Sequence, residues 1–195
     1  MTDSLQYYNQ HAREFFDNTR NVDFKEMQDK FLCYLKPGAR ILDFGCGSGR
    51  DTKYFVTKGF TTDAVDGSEE LVDIASKYTG VEVRQMYFQD LDEYETYDGI
   101  WACSSILHLS YTELEDVFVK MARALVSHGV LYTSFNYGTE EGERSGRYFT
   151  DMTETKIERL LKSVNVFSIE EMWMTSDVRP GRAEEKWLNM ILRKI

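Results

Sequence analysis

Basic residues are scarce: 23 lysines and arginines stand against 33 aspartates and glutamates, a formal net charge of −10. A broad nucleic-acid surface needs clustered Lys and Arg, so this balance argues against one, though not against a small basic pocket. Cysteine is sparse as well. Cys33, Cys46 and Cys103 are odd in number and widely spaced, which fits neither a disulfide framework nor a zinc pattern. The three histidines, His11, His108 and His128, form no metal-ligating spacing with Cys or Asp, so no metal is expected. No apolar run reaches the roughly 18–20 residues of a membrane span. The start, "MTDSLQYYNQ", lacks the basic and apolar regions of a signal peptide. These absences predict a cytoplasmic protein with reduced thiols and no membrane partner; they leave oligomeric state open.

What remains is an ordinary globular composition. A length of 195 residues and a hydrophobic share of 42% predict a single domain, 1–195, able to bury a substantial core. Two helical segments come first. "DSLQYYNQHAREFFDN" places Leu5, Tyr8, Ala12, Phe15 and Phe16 on one face, and "DFKEMQDKFLCYL" does so with Phe24, Met27, Phe31, Leu32 and Leu35. Lys36-Pro37-Gly38 ends them.

Strands and helices alternate from there. The predicted strands are "ARILDF", "FTTDAVD", "VEVRQMYF", "YDGIWACS", "HGVLYTSFN", a stretch near Val166–Met174 and "WLNMILRKI". The predicted helices are "GRDTKYFVTKG", "SEELVDIASKY", one after the capping box of Ser110 and Glu113, and one near Thr153–Val164. "YGTEEGERSGRYFTD" and "TSDVRPGRAEEK" read as loops. The pattern predicts an α/β fold: a mostly parallel, Rossmann-like seven-stranded sheet with helices on both faces, its late strands pairing antiparallel at one edge.

The chemical signal lies in "ILDFGCGSGR", Ile41 to Arg50. Gly45, Gly47 and Gly49 follow the first strand, where ligands of such sheets bind. Glycines there let a ligand approach the main chain. The spacing is G-x-G-x-G, with Arg50 where a dinucleotide fingerprint needs its last glycine, and no Gly-Lys-Ser/Thr ending of a P-loop is present. A nucleotide-like ligand without phosphates fits better. Asp43 then supplies a negative charge for a positive centre. Asp66, 21 positions after Gly45, is placed to accept bonds from ribose hydroxyls. Asp90 is placed to accept from an adenine amine, with Leu91 against the ring.

These residues resemble the class I S-adenosylmethionine-dependent methyltransferases. "LDFGCGSG" resembles the first motif of that superfamily, Asp66 its ribose-binding acid and Asp90 its adenine-side acid. "YYNQHAREF" resembles the N-terminal helix that covers the cofactor, with Tyr8 and Ala12 at matching places; "YDGIWACSSILHL" and "MARALVSHGVLYTSF" resemble the fourth-strand segment and the helix and strand after it. Val126-Ser127-His128-Gly129 replaces the usual Lys-Pro-Gly-Gly turn. The chain is most similar to small bacterial members, many labelled tellurite-resistance-like. The resemblance implies an N-terminal helical lid (1–36) on a cofactor-binding core (37–195). It implies methyl transfer from S-adenosyl-L-methionine, with S-adenosyl-L-homocysteine as product, to a small-molecule acceptor.

Cofactor contacts are then expected from Tyr8, Asp43, Gly45, Cys46, Gly47, Gly49, Arg50, Asp66, Gly67, Ser68, Asp90, Leu91 and Cys103. His108, after the fourth strand, either takes a proton from the nucleophile or walls the pocket. Tyr137, Arg144, Arg147 and Tyr148, with Arg179 (and Arg182) on the later loop, either contact an anionic acceptor or form a solvated surface. "ACSS" stands where amine-directed DNA methyltransferases carry Asn/Asp-Pro-Pro-Tyr/Phe. A tRNA or protein acceptor is the runner-up, a non-catalytic cofactor-binding module the alternative of another class, and a nicotinamide enzyme the weakest rival.

Overall fold

The computed structural model describes residues 2–179 and 181–195. The apolar runs become strands β1 (Arg40–Phe44), β2 (Thr61–Asp66), β3 (Val83–Gln85), β4 (Tyr97–Ala102) and β5 (Leu125–Asn136). After them come β6 (Glu141–Arg144), β7 (Arg147–Thr150), β8 (Phe167–Ser176) and β9 (Lys186–Lys194). The helices are α1 (Thr2–Thr19), α2 (Lys25–Leu32), α3 (Arg50–Thr57), α4 (Glu69–Thr79), α5 (Tyr111–Ala124) and α6 (Glu154–Val164). Seven strands form one sheet in the order β3-β2-β1-β4-β5-β9-β8. β1 to β5 run parallel, and β9 lies antiparallel between β5 and β8. The strand order reverses between β1 and β4, so the loops after those two strands part and leave a crevice at the carboxyl edge.

Local signals explain the element ends. Ser110 and Glu113 form a reciprocal capping box at the start of α5. Ser68 and Thr153 cap α4 and α6 through their hydroxyls, and Asn165 closes α6 in a left-handed conformation. One sheet face is filled by α5 and α6 through Leu114, Phe118, Met121 and Leu160. The other holds an aromatic cluster of Phe31, Phe55, Trp101 and Tyr132. Trp101 and Tyr132 stack with centroids 3.9 Å apart.

Three expectations are corrected. The segment read as a loop, "YGTEEGERSGRYFTD", contains the hairpin β6–β7, with Ser145 and Gly146 at its turn, both at positive φ. Two positive-φ residues suit the twist of a tight hairpin, but neither strand shows clean alternation of apolar and polar residues. The third strand is only three residues long, because Met86 to Phe88 leave the sheet for the crevice. The N-terminal 36 residues are not one unit: α1 roofs the crevice, whereas α2 inserts Met27 and Phe31 into the aromatic cluster. No described helix is long and apolar enough to cross a membrane.

Candidate active site

The crevice is a cavity of about 640 Å³ between the carboxyl ends of β1, β2 and β4, with α1 above and the hairpin and the β8–β9 loop at its far end. The β1 loop supplies its floor. Gly45 and Cys46 donate their N–H groups to the Val65 carbonyl (3.0 and 2.9 Å). Gly47 donates to Asp66 Oδ2 (2.8 Å), and Ser68 N to Asp66 Oδ1 (2.9 Å). Asp66 lines the cavity with both oxygens anchored. Burial raises its pKa, and the amides of Ser68, Gly47 and Gly67 pull the other way. Each carboxylate oxygen keeps a second lone pair, so Asp66 can still accept from a ligand hydroxyl.

The glycines divide their tasks in a way that their spacing hides. A Cβ on Gly45 would sit 2.5 Å from Ser105 Cβ, and one on Gly49 would sit 2.6 Å from Thr79 Cγ2 on α4. Those two make room for the protein itself. Gly47, at φ +55°, faces the roof, where a Cβ would lie 2.9 Å from Phe15 of α1.

The acid beside the loop is not the one expected. Asp43 is buried beneath the cavity and accepts from Thr52 Oγ1 (2.5 Å). Burial and then the neighbouring Asp51 push its pKa well above the usual carboxylate range, so the proton shared by the pair is favoured on Asp43. The negative charge sits on Asp51, which lines the cavity. Burial opposes that charge, but Arg50, Trp101 Nε1 (2.9 Å) and Gln28 Nε2 (2.6 Å) outweigh it and hold the Asp51 pKa low. Asp51 had only a local signal in the sequence, an acid in the first turn of α3, and that reads equally as a helix-dipole partner.

The sign of a stability effect follows. Unfolded Asp43 ionises near its usual 3.8, whereas the folded group holds its proton up to about 8. The folded state therefore binds the extra proton in that window, and stability drains away as pH rises through it. His108 has the opposite displacement, and its contribution is complete above about 6.5. The urea midpoint should fall between pH 6.5 and 8.5 in the native sequence and stay flat in Asp43→Asn. Equal slopes in both proteins would show that Asp43 is ionised throughout.

At the opposite wall, His108 sits in a short 3-10 turn after β4. Its Nδ1 lies 2.7 Å from the Tyr148 carbonyl, which only accepts, so Nδ1 carries the proton. Nε2 is then an acceptor and takes the Tyr8 hydroxyl (2.9 Å), while Arg147 Nη1 donates to Tyr8 Oη (3.3 Å). Burial, and after it the charges of Arg147 and Arg144, lower the His108 pKa to about 4 against the pull of the Tyr148 carbonyl. Burial raises the Tyr8 pKa, although Arg147 opposes it. The outcome is a neutral imidazole with a lone pair directed at a neutral phenol.

Other expected residues scatter. Gly67 lines the cavity; a Cβ there would meet Leu5 Cδ2 of α1 at 2.6 Å. Ser68 does not line it; its hydroxyl donates to Asn9 Oδ1 on α1 (2.6 Å). Leu91 is corrected outright: it is fully buried in the main core and touches no ligand space. Asp90 is exposed outside the cavity wall, which at that point is Met86, Tyr87 and Phe88. Cys46 and Cys103 both line the cavity. Burial, with nearby acids, raises both thiols, Cys103 to about 12, so neither is a thiolate at neutral pH.

The Tyr148 ring turns away and its hydroxyl donates to Glu141 (2.9 Å); only its backbone serves His108. Tyr137 lies at the rim and donates to Glu154 (3.0 Å). Arg144, Arg147, Arg179 and Arg182 do reach one cavity, but Arg144 pairs with Asp151, Arg179 with Asp177 and Arg182 with Glu185. Sequence reasoning missed Ser104, Ser134 and Asn189, polar wall residues that only the β4–β5–β9 pairing brings together. Among the described residues, no group of three His, Cys, Asp or Glu is placed to hold a metal.

Residues 41–129 match the family model described as "Methyltransferase domain". An uncharacterized methyltransferase of Staphylococcus carnosus is 26% identical over 124 residues, which are 60% of this chain and 60% of that protein. The chain spans about half the length of the curated relatives it matches, 60% of one and 46% of another. Among solved structures, 1,6-didemethyltoxoflavin-N1-methyltransferase of Burkholderia thailandensis, with 1,6-didemethyltoxoflavin and S-adenosylhomocysteine bound, superposes with a TM-score of 0.75. Identity is 22%, over 97% of this chain and 84% of that one. Magnesium protoporphyrin IX methyltransferase of Synechocystis, with S-adenosylhomocysteine bound, gives a TM-score of 0.74 at 19% identity, over 97% of both chains. The fold is that of these solved methyltransferases, and residues 41–129 are similar in sequence to a methyltransferase domain.

Proposed function

We propose that the chain transfers a methyl group from S-adenosylmethionine to a small-molecule acceptor and releases S-adenosylhomocysteine. One observation carries this reading. A single roofed cavity joins the Gly47–Asp66 floor to the Tyr8–His108–Arg147 wall, so one ligand can lie at each end. The residues fit the cofactor: Asp66 offers free lone pairs for hydroxyls, Gly47 leaves the floor without a side chain, and Asp51, paired with Arg50, keeps a carboxylate at the cavity wall near the same loop. When bound, the cofactor supplies a methyl group already activated on a sulfonium.

The chain's own contribution is to orient, to exclude water and to receive a proton. α1 closes the roof through Phe15 over Gly47, Asn9 on Ser68, and Ser4 Oγ, which accepts from Tyr148 N (2.9 Å). Such closure excludes water and fixes the reacting geometry. An acceptor hydroxyl or amine beside Tyr8 can pass its proton to Tyr8 Oη as the tyrosine proton moves to His108 Nε2. The imidazolium so formed keeps its Nδ1–H on the Tyr148 carbonyl. The closed roof and the acidic surface both favour a small molecule over tRNA or protein. The resemblance to tellurite-resistance-like members keeps a metalloid oxyanion among the acceptors worth supplying.

S-adenosylmethionine and S-adenosylhomocysteine should raise the melting temperature, since a ligand held only by the folded state stabilises it; NAD should not. S-adenosylhomocysteine release is then followed with hydroxyl, amine, thiol and oxyanion acceptors. A shift with NAD and none with either sulfur compound would sink the reading.

A further inference from the structure

The acceptor's chemistry can be narrowed, on the footing of the methyl-transfer reading. Four arginines along the cavity carry a carboxylate partner: Arg50 with Asp51, Arg144 with Asp151, Arg179 with Asp177 and Arg182 with Glu185. Arg147 pairs with no carboxylate of the described residues. Its guanidinium carbon lies 4.5 Å from the Tyr7 ring centroid and 5.0 Å from that of Phe149. One Nη1–H reaches Tyr8, and its Nε–H is buried without a hydrogen-bond partner. A guanidinium has five donors, and a buried donor left unmet is unfavourable. In a chain with 33 acids, the surroundings of this cation are aromatic rings instead. Those rings fix the guanidinium plane, so little side-chain freedom remains to be lost when a ligand arrives.

We propose that Arg147 is the anion-recognition residue of this cavity, seating a carboxylate or comparable oxyanion of the methyl acceptor beside Tyr8 and His108. An oxyanion there meets the guanidinium donors in a paired arrangement. It also offsets the positive field that Arg147 imposes on the imidazole, so acceptor charge and proton uptake at Nε2 reinforce one another. Arg144 and Arg179, already neutralised, hold the hairpin and the β8–β9 loop in shape. Among the described residues, the four-arginine cluster suggested by the sequence thus reduces to one arginine without a carboxylate partner, Arg147.

The test uses probes that differ in charge and little else: benzoate against benzamide, and nicotinate against nicotinamide. Each is titrated calorimetrically into the protein saturated with S-adenosylhomocysteine. Each carboxylate should bind about tenfold or more tightly than its amide, as expected for charge-assisted hydrogen bonds. Arg147→Gln should abolish that preference, and Arg147→Lys should keep part of it. S-adenosylhomocysteine affinity, measured in the same variants, reports that they are folded. Equal binding of acid and amide, no detectable carboxylate binding, or a preference that survives Arg147→Gln would each overturn the assignment. A protein that binds no S-adenosylhomocysteine fails at the methyl-transfer reading itself; one that binds it and ignores the carboxylates fails only here.

Discussion

Gly47→Val is expected to abolish measurable binding of S-adenosylmethionine and S-adenosylhomocysteine while the protein stays folded. Gly47 has φ +55°, a conformation that costs a β-branched residue on the order of 1–3 kcal/mol. Its Cβ would stand 2.9 Å from Phe15, closer than real Cβ contacts allow, so the roof or the floor must move. Either movement breaks the arrangement that the ligand needs. If the roof lifts, α1 no longer covers the cavity. If the floor shifts, the Gly47 N–H leaves Asp66 Oδ2, now 2.8 Å away, and the acid loses its orientation. Calorimetry should show a loss of about a hundredfold or more, the equivalent of two such penalties together. Far-ultraviolet dichroism should be unchanged, because Gly47 lies outside the sheet and its core. Affinity within a few-fold of the native protein would place the cofactor elsewhere.

His108→Gln should lower kcat by about 10² or more, in the range for loss of a positioned proton acceptor, and leave cofactor affinity nearly unchanged. Glutamine can keep a bond toward Tyr8, but it cannot take up a proton. The neutral imidazole seen here, with Nδ1 committed to the Tyr148 carbonyl and Nε2 open toward Tyr8, is the state in which a base must wait. Tyr8→Phe should lower kcat as well, because it cuts the relay from the acceptor to Nε2. Steady-state kinetics with an acceptor whose nucleophile carries a proton decide the point. If kcat falls only two- or three-fold in both variants, His108 is a wall residue and the acceptor loses its proton to solvent.

The parts of this site that were legible in the sequence are those that depend on neighbours along the chain. The Gly45–Gly49 loop follows directly on β1, and Asp66 ends β2, so spacing alone locates them. The capping box of Ser110 and Glu113 is likewise complete within four residues. What stayed hidden depends on pairing between distant segments. Asp51 became the charged acid through its neighbour Arg50 first, and through Trp101 and Gln28, 50 and 23 positions away, which converge on it only in the fold, while Asp43 was sealed beneath the loop. Leu91 was read as a ring-packing residue, but an apolar side chain after a strand serves the core equally well, and here it does. The hairpin β6–β7 lacked a periodic signal, yet it carries Arg147 and the carbonyl that fixes His108. The four arginines looked alike in sequence; their acids, Asp151 and Asp177 among them, decide which one lacks a carboxylate partner among the described residues.

The central claim is methyl transfer to a small molecule, and transfer of an isotopic label tests it most directly. The protein is incubated with S-adenosylmethionine carrying a labelled methyl group, together with small acceptors, carboxylates and oxyanions among them, and in parallel with bulk tRNA and with protein. The account predicts labelled product in the small-molecule fraction, formed together with S-adenosylhomocysteine, and none in the tRNA or protein fractions. Tight cofactor binding with no label leaving the cofactor in any mixture, or label appearing only in tRNA or protein, would contradict it.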